Sequence, residues 1–138
     1  MSLLVDTCVW SLAFRRDRPA PSPAVSALAQ ALAAEEAILS TGLILQELLQ
    51  GFSGPTARDQ ILDRFAALPL LVPDRQDHVA AAELRNLARR NGIQIGTIDA
   101  LLAQLCLRHD LTMLTTDGDF HNIAPLCELK LWPSPHRS

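Results

Sequence analysis

The sequence contains few cysteines, and their positions argue against the sites that cysteines most often form. There are three, Cys8, Cys106 and Cys127, and no two of them have the C-x-x-C spacing. An odd and widely spaced set predicts neither a disulfide framework nor a structural zinc site. We therefore expect all three thiols to be small, buried hydrophobic groups.

Long apolar runs are also missing. The longest, residues 68–72 and 101–107, are interrupted by Pro69 and Gln104, and neither approaches the roughly 20 residues of a membrane-spanning helix. The apolar start of the chain is interrupted by Asp6 and follows no cationic segment, so it does not have the pattern of a signal peptide. The sequence thus predicts a cytoplasmic protein.

Positive charge is scarce. The formal net charge is −3, and Lys130 is the one lysine among twelve cationic residues, which argues against binding nucleic acid through bulk electrostatics. The arginines nevertheless form two groups: Arg15, Arg16 and Arg18, and later Arg85, Arg89 and Arg90. Arginine binds phosphate bidentately, so a few can hold a nucleic-acid backbone. We predict this role for the first group, although genomic base composition explains an arginine-rich, lysine-poor sequence equally well.

Length and hydropathy patterning predict one α/β domain. A chain of 138 residues, 49% hydrophobic, can bury about two-thirds of its unfolded surface. Short apolar runs predict strands at residues 3–6, 37–40, 70–72, 113–116 and 129–131, and amphipathic segments predict helices at about residues 24–34, 42–51, 55–67, 74–91 and 97–109. This alternation favours a mainly parallel central sheet with helices on both faces. We place the domain at residues 1–132 and a polar tail at residues 133–138.

Four carboxylates lie at the ends or starts of these elements. Asp6 and Asp117 each follow an apolar run, and so mark the carboxyl end of a predicted strand. Asp99 lies in the first turn of a helix that Thr97 can cap, and Glu47 lies at the margin of an apolar helix stripe. Since the helices start where parallel strands end, we expect the four side chains to converge there, where ligands bind in such sheets.

Each carboxylate taken singly has an ordinary structural explanation. An aspartate in a first helical turn complements the helix dipole, and one after a strand commonly forms a turn. Four unpaired carboxylates within about 5 Å, however, would repel by roughly 3 kcal/mol per adjacent pair at an effective dielectric near 20. A cluster of this kind therefore predicts a bound cation, and oxygen-only ligands favour Mg²⁺ or Mn²⁺ over Zn²⁺.

These segments together resemble the PIN domain, and most closely the VapC-like toxins of VapBC toxin–antitoxin systems. The resemblance rests on residues 3–10, the Glu47 helix, residues 98–103 and residues 114–120, in this order across nearly the whole chain. It implies a PIN-like three-layer fold and a metal-dependent endoribonuclease, a hydrolase of RNA phosphodiester bonds.

The resemblance also implies roles for individual residues. Asp6, Asp99 and Asp117 would hold Mg²⁺ or Mn²⁺, and Glu47 would be a fourth catalytic carboxylate that acts through water. Thr115 would brace the site and Asp119 would be an auxiliary ligand. Arg15, Arg16 and Arg18 would then contact RNA. The histidines His78, His109 and His121 match no family ligand, and we predict that they are solvated.

The resemblance implies two protein partners. One is a VapB-like antitoxin, which would lay an apolar segment in a groove between helices and direct a cation, commonly arginine, at the acidic site. The other is a second copy of the chain, in a homodimer whose face the sequence does not identify. Two helix faces are equally good candidates for the antitoxin groove: Leu43, Ile44, Leu45, Leu48, Leu49 and Phe52, or Val25, Leu28 and Leu32.

Other functions fit less well. A haloacid-dehalogenase-type phosphatase needs a second aspartate where Cys8 stands, and a receiver domain needs a lysine well before Lys130. The main alternative is a degenerate PIN fold that acts as a non-catalytic binding module and holds a partner's arginine in its acidic pocket. Such domains usually lack one or more acidic positions, and all four are present here.

Overall fold

Five parallel strands form the centre of the protein in a computed structural model that describes residues 1–15 and 22–133. In chain order they are β1 (Ser2–Val5), β2 (Ala37–Thr41), β3 (Leu70–Leu71), β4 (Thr112–Leu114) and β5 (Lys130–Trp132). Their order across the sheet is β3-β2-β1-β4-β5, and every neighbouring pair is parallel. The apolar run of β1 is thus central and buried, as expected of a strand covered on both faces.

Seven helices connect these strands within the described ranges. They are α1 (Thr7–Phe14), α2 (Pro23–Ala33), α3 (Gly42–Gly51), α4 (Pro55–Phe65), α5 (Arg75–Arg90), α6 (Thr97–Arg108) and α7 (Gly118–Cys127). Right-handed crossovers place α1 to α4 on one face of the sheet and α5 to α7 on the other, which agrees with the contacts among the helices. The predicted three-layer α/β fold is confirmed.

In the part of the chain that the structure describes, no helix is long and apolar enough to cross a membrane.

Some local predictions were wrong. Thr97 does not cap α6 but is its first residue, and the N-cap is Gly96, although Asp99 still lies in the first turn. The fourth strand ends at Leu114, two residues earlier than predicted. Helix α7 was not predicted, because Gly118 directly after Asp117 is typical of a tight turn.

Helix α1 is fixed by aromatic packing close to its first turn. The Trp10 ring is buried and its centroid lies 5.0 Å from that of Phe65 in α4 and 6.0 Å from that of Phe14. Pairs of aromatic rings at these separations add about 0.5–1.5 kcal/mol beyond the area they bury. The packing holds α1, and with it the Asp6 end of the helix, against the rest of the layer.

An ion pair between a buried carboxylate and a partly exposed arginine joins α5 to α6. Asp77, which has no exposed surface, accepts hydrogen bonds from the Asp74 backbone, from Gln104 and from Arg108 of α6. Burial raises the pKa of the Asp77 carboxyl, but the hydrogen bonds and the Arg108 charge outweigh burial and lower the pKa below its usual value. The pair therefore fixes the helix that carries Asp99.

Replacing Arg108 by Ala should lower the free energy of unfolding by about 2–3 kcal/mol, because it leaves the buried Asp77 charge uncompensated. The Arg108 side chain is 43% exposed, so we expect less than the full cost of a buried pair. Chemical denaturation would measure the loss. Since the pKa of Asp77 is lowered in the folded protein, the stabilisation is present above about pH 4 and lost as the pH falls further.

Arg58→Ala is the matched control for this measurement. Arg58 forms an ion pair with Asp59 in which both side chains are largely exposed, and such surface pairs contribute about 0–1 kcal/mol. Equal losses in the two variants would show that the Arg108 pair is no stronger than a surface pair.

Candidate metal centre

Five carboxylates meet at the carboxyl ends of β1 and β4, which are neighbours in the sheet. From β1 the chain adds strands on one side, and from β4 it adds them on the other, so the sheet has its topological switch point between these two strands. Asp6 directly follows β1, and Asp117 follows β4 after Thr115 and Thr116. Asp99, Asp117 and Asp119 each offer a carboxylate oxygen, and these three atoms all lie within 4.8 Å of one another. Ligands of open α/β sheets bind at this type of position.

Asp6 is held by bonds to both of its carboxylate oxygens. It is 7% exposed; its Oδ1 accepts the Thr7 backbone N–H at 2.8 Å, and its Oδ2 accepts the Thr115 hydroxyl at 2.8 Å. Burial raises the pKa of Asp6, the hydrogen bonds from Thr115, Thr7 and Cys8 lower it, and the charge of Asp117 raises it, with a net increase. As the N-cap of α1, the side chain has one fixed orientation.

Thr115 links the two strand ends. Its hydroxyl donates to Asp6 and accepts the Asp117 backbone N–H at 3.0 Å. Asp117 in turn caps α7, because its Oδ1 accepts the Asp119 backbone N–H at 2.9 Å. A chain of hydrogen bonds thus connects Asp6 to the first turn of α7.

Asp99 experiences the charge of all the other carboxylates. Burial raises its pKa to about 6, together with the negative charges of Asp6, Asp117, Glu47 and Asp119 in that order. The predicted convergence is therefore observed, with Asp119 as a fifth member. Within the described ranges, none of these carboxylates takes part in a salt bridge.

Glu47 approaches the centre from α3 on the opposite face of the sheet. Ile44 and Leu48 of the same helix are buried in the core, and the half-buried Glu47 accepts the Thr7 hydroxyl through its Oε1 at 2.6 Å. Thr7 is also the residue whose backbone N–H binds Asp6. The first residue of α1 therefore sets the positions of two of the carboxylates.

Cys8 belongs to this centre, which the sequence analysis did not predict. Its thiol is partly exposed; the sulfur lies 3.5 Å from Oδ2 of Asp6 and 3.6 Å from Oγ1 of Thr115, and it accepts the Thr116 hydroxyl at 3.2 Å. The expectation of a buried hydrophobic thiol is wrong here because the first turn of α1 directs Cys8 toward Asp6. One feature of the sequence could have predicted this contact: Cys8 comes two residues after Asp6, in the first turn of the helix that Asp6 caps.

The other two cysteines differ from each other. Cys106 is buried as expected, and burial, followed by the charge of Asp6, raises the pKa of its thiol to about 12. Cys127 is only partly buried, and its thiol donates to the Ile123 carbonyl in the preceding turn of α7. Neither replaces a carboxylate in the metal centre.

The arginines predicted to contact RNA lie beyond the acidic centre or outside the described ranges. Arg15 is exposed at the C-cap of α1, which at about 1.5 Å rise per residue is roughly 13 Å along the helix from Asp6. Arg16 and Arg18 fall outside the described residues. His78, His109 and His121 are exposed, as predicted.

The donor set suits a hard divalent cation. It consists of carboxylate oxygens, three of which are close enough together to share one ion, and Mg²⁺ and Mn²⁺ prefer such ligands. Burial and, after it, the negative charges of the neighbouring carboxylates raise the pKa of Asp99, so these carboxylates disfavour one another's ionised form. A bound divalent ion would remove this repulsion.

Comparison with known proteins agrees with the fold. The sequence matches the PIN domain family over residues 3–126. It is 32% identical over 130 residues to ribonuclease VapC11 of Mycobacterium tuberculosis, and the alignment covers 93% of this chain and 96% of the relative.

Two solved structures have the same fold. VapBC2 from Rickettsia felis, bound to a DNA fragment from their promoter, matches with a TM-score of 0.74 at 21% identity and covers 95% of this chain and 97% of that one. VapC20 of M. tuberculosis, a toxin that cleaves the sarcin–ricin loop, matches with a TM-score of 0.66 at 16% identity, covering 87% and 93%. With the family match and the VapC11 identity, the chain belongs to the PIN domain family and, within it, to the VapC ribonucleases.

Proposed function

We propose that this chain is a Mg²⁺- or Mn²⁺-dependent endoribonuclease that acts in the cytoplasm as the toxin of a type II toxin–antitoxin pair. The observation that carries the proposal is the convergence on Asp99 of four further carboxylates, with no salt bridge to any of them in the described ranges. The VapC relatives, named as ribonucleases, support RNA as the substrate. A non-catalytic binding module would have no need to keep all these carboxylates.

Each carboxylate has a role in this proposal. Asp6, Asp99 and Asp117 hold the cation, and Asp119 is an auxiliary ligand because its oxygen lies in the same 4.8 Å group as those of Asp99 and Asp117. Thr115 keeps Asp6 in place through the hydrogen bond described above. When bound, the cation supplies charge that stabilises the transition state at the phosphate and makes water more acidic.

Glu47 is the proposed proton acceptor. Its hydrogen bond to Thr7 fixes one oxygen and leaves the other free to orient a water molecule or accept its proton. Asp99, whose pKa is about 6 without metal, releases any bound proton when the cation binds, because only the ionised carboxylate is a ligand. Cation affinity should therefore fall below about pH 6.

Divalent cations should raise the melting temperature of the protein. A ligand that binds the folded state alone stabilises it by about 1.4 kcal/mol at ten times its dissociation constant, which shifts the melting temperature of a domain this size by roughly 3–6 °C. Thermal unfolding at increasing Mg²⁺ or Mn²⁺ would measure the shift. Asp99→Asn protein should show a smaller shift, and no shift in the wild type would favour the binding-module alternative.

The proposed antitoxin site is a groove between α1, α2 and α4. It has a volume of about 250 Å³ and its lining includes Trp10, Phe14, Val25, Leu28, Leu32 and Arg64. Of the two helix faces predicted from the sequence, that of α2 lines this groove and that of α3 does not. The groove follows α1, whose N-cap is Asp6, so a segment bound in it can direct a terminal arginine toward the carboxylates. A homodimer stays a prediction without an assigned face.

Expression of this chain alone in bacteria should arrest growth, because an unrestrained ribonuclease degrades cellular RNA. Co-expression of the small open reading frame next to its gene should restore growth. The control is Asp6→Asn protein at the same soluble level, which should not arrest growth. Normal growth with folded wild-type protein would contradict the toxin assignment, and cleavage of RNA in vitro would then decide separately whether the nuclease assignment stands.

A further inference from the structure

A small cavity lies between the end of α5 and the segment that leads into α6. It has a volume of about 130 Å³ and is lined by Arg85, Arg89, Ile93, Gln94 and Ile95. Its side chains include two guanidinium groups and one amide but no carboxylate. In a chain with a net charge of −3, this is a local concentration of positive charge around a partly open cavity.

The two arginines are not neutralised by neighbouring acids. Arg85 is half-buried, and its Nε donates to the Ile95 carbonyl at 2.9 Å. That bond fixes the guanidinium plane, while no salt bridge in residues 1–15 and 22–133 involves Arg85 or Arg89. The terminal amino groups of both side chains are thus available to an anion, and a guanidinium can bind two phosphate oxygens at once.

The helix dipole explains part of this arrangement but not all of it. Arg89 and Arg90 both lie in the last turn of α5, where positive charge complements the partial negative charge of a helix end. The dipole does not explain Arg85, which lies a turn earlier and is oriented by the Ile95 carbonyl. Arg90 serves the dipole equally but does not line the cavity.

The cavity is close to the acidic centre. Ile95 precedes Gly96, the N-cap of α6, and Asp99 lies in the first turn of that helix. Even a fully extended chain from Ile95 to Asp99 spans at most about 14 Å. The Ile95 side of the cavity is therefore near enough to Asp99 for a short stretch of RNA to span both places.

We infer that Arg85 and Arg89 bind a backbone phosphate of the RNA substrate, a short distance along the strand from the bond that is cleaved. The inference rests on the proposed ribonuclease function. Two arginines at one place would let a protein of net negative charge bind RNA there. Contact with the substrate would then involve Arg85 and Arg89 of the second arginine group, and not only Arg15, Arg16 and Arg18. The contact is to the backbone, so it is independent of base sequence.

The test is RNA binding by Arg89→Gln and Arg90→Gln, each in an Asp6→Asn background that prevents cleavage. Both substitutions remove one positive charge from exposed neighbouring positions, so their effects on stability and net charge should match. Fluorescence anisotropy with labelled single-stranded RNA would be recorded over a range of salt concentrations. For Arg89→Gln we expect affinity to fall about fivefold at roughly 0.1 M salt, and the logarithmic salt slope to decrease by about 0.7.

Arg90→Gln should have a clearly smaller effect on both quantities. Equal effects of the two substitutions, or no effect of either, would overturn the inference. Inorganic phosphate provides a further arm: if it raises the melting temperature of the wild type but not of Arg89→Gln, while RNA affinity is the same in both, the cavity binds free phosphate and the RNA assignment fails.

Cleavage by the wild-type protein, measured in parallel, separates this inference from the proposed function. If the wild type cleaves RNA with metal and the two arginine variants bind RNA equally, only the role of the cavity is wrong. If the wild type does not cleave RNA and the Asp6→Asn protein does not bind it, the proposed function fails and the inference fails with it.

Discussion

Asp6→Asn and Asp99→Asn should each reduce metal-dependent RNA cleavage by about a thousandfold or more, while the protein stays folded. Loss of one carboxylate ligand removes charge that holds the cation, and about 4 kcal/mol of lost transition-state stabilisation corresponds to a factor of a thousand. Single-turnover cleavage of a labelled RNA at saturating Mg²⁺ or Mn²⁺ would measure the effect. Full activity of either variant, or of the wild type in excess chelator, would contradict the assignment of the metal centre.

Asp63→Asn is a suitable control, since Asp63 is an exposed carboxylate on α4 outside the acidic centre. It should retain activity.

Stability provides a second readout, because Asp99 has a folded-state pKa of about 6, well above the usual value of about 3.9. Its favourable contribution to metal-free stability is therefore complete below about pH 4 and lost as the pH rises through 6. Asp99→Asn should be more stable than the wild type at pH 7, and the difference should disappear in acid.

Ala29→Arg should weaken binding of the antitoxin by about a hundredfold or more. Ala29 is exposed and lines the groove between α1, α2 and α4, so a long charged side chain would occupy the space of an apolar anchor. Blocking one buried anchor of an interface commonly costs about 3 kcal/mol. Calorimetric titration of the purified proteins would measure the loss, and the variant should still cleave RNA because α2, which carries Ala29, contributes none of the carboxylates of the centre.

Ala33→Arg makes the same chemical change one turn later on α2, at an exposed position that does not line the groove. It should leave antitoxin binding nearly unchanged. In cells, the antitoxin should restore growth to a strain that expresses Ala33→Arg but not to one that expresses Ala29→Arg. Equal rescue of both strains would place the antitoxin elsewhere on the surface.

The sheet and the convergence of carboxylates could be predicted because their signals are local. An uninterrupted apolar run before Asp6 predicts a strand buried on both faces, and parallel strands bring their carboxyl ends to one edge. Thr41 and Asp74 are side chains that favour N-caps, and both cap helices in the structure. These features follow from neighbours a few residues away.

Other features depend on contacts between distant parts of the chain. Helix α7 forms despite Gly118 and Pro125 because Asp117 caps it and Phe120 and Ile123 enter the core. The burial of Asp77 is stable only because Arg108, on another helix, reaches it. Cys8 joins the centre through Thr115, 107 residues later. No window of the sequence contains both members of such pairs.

The central position of β1 determines when the enzyme can become active during its own synthesis. Strand β1 is made first, but its neighbour β4 and the Thr115 hydroxyl that binds Asp6 come 109 residues later. At about 5–20 residues per second, a ribosome needs roughly 5–20 s to cover that distance. During this time the nascent chain contains Asp6 and Glu47 without Asp117 or Asp119. Chains that end before β4 lack Thr115, Asp117 and Asp119 and should therefore be inert.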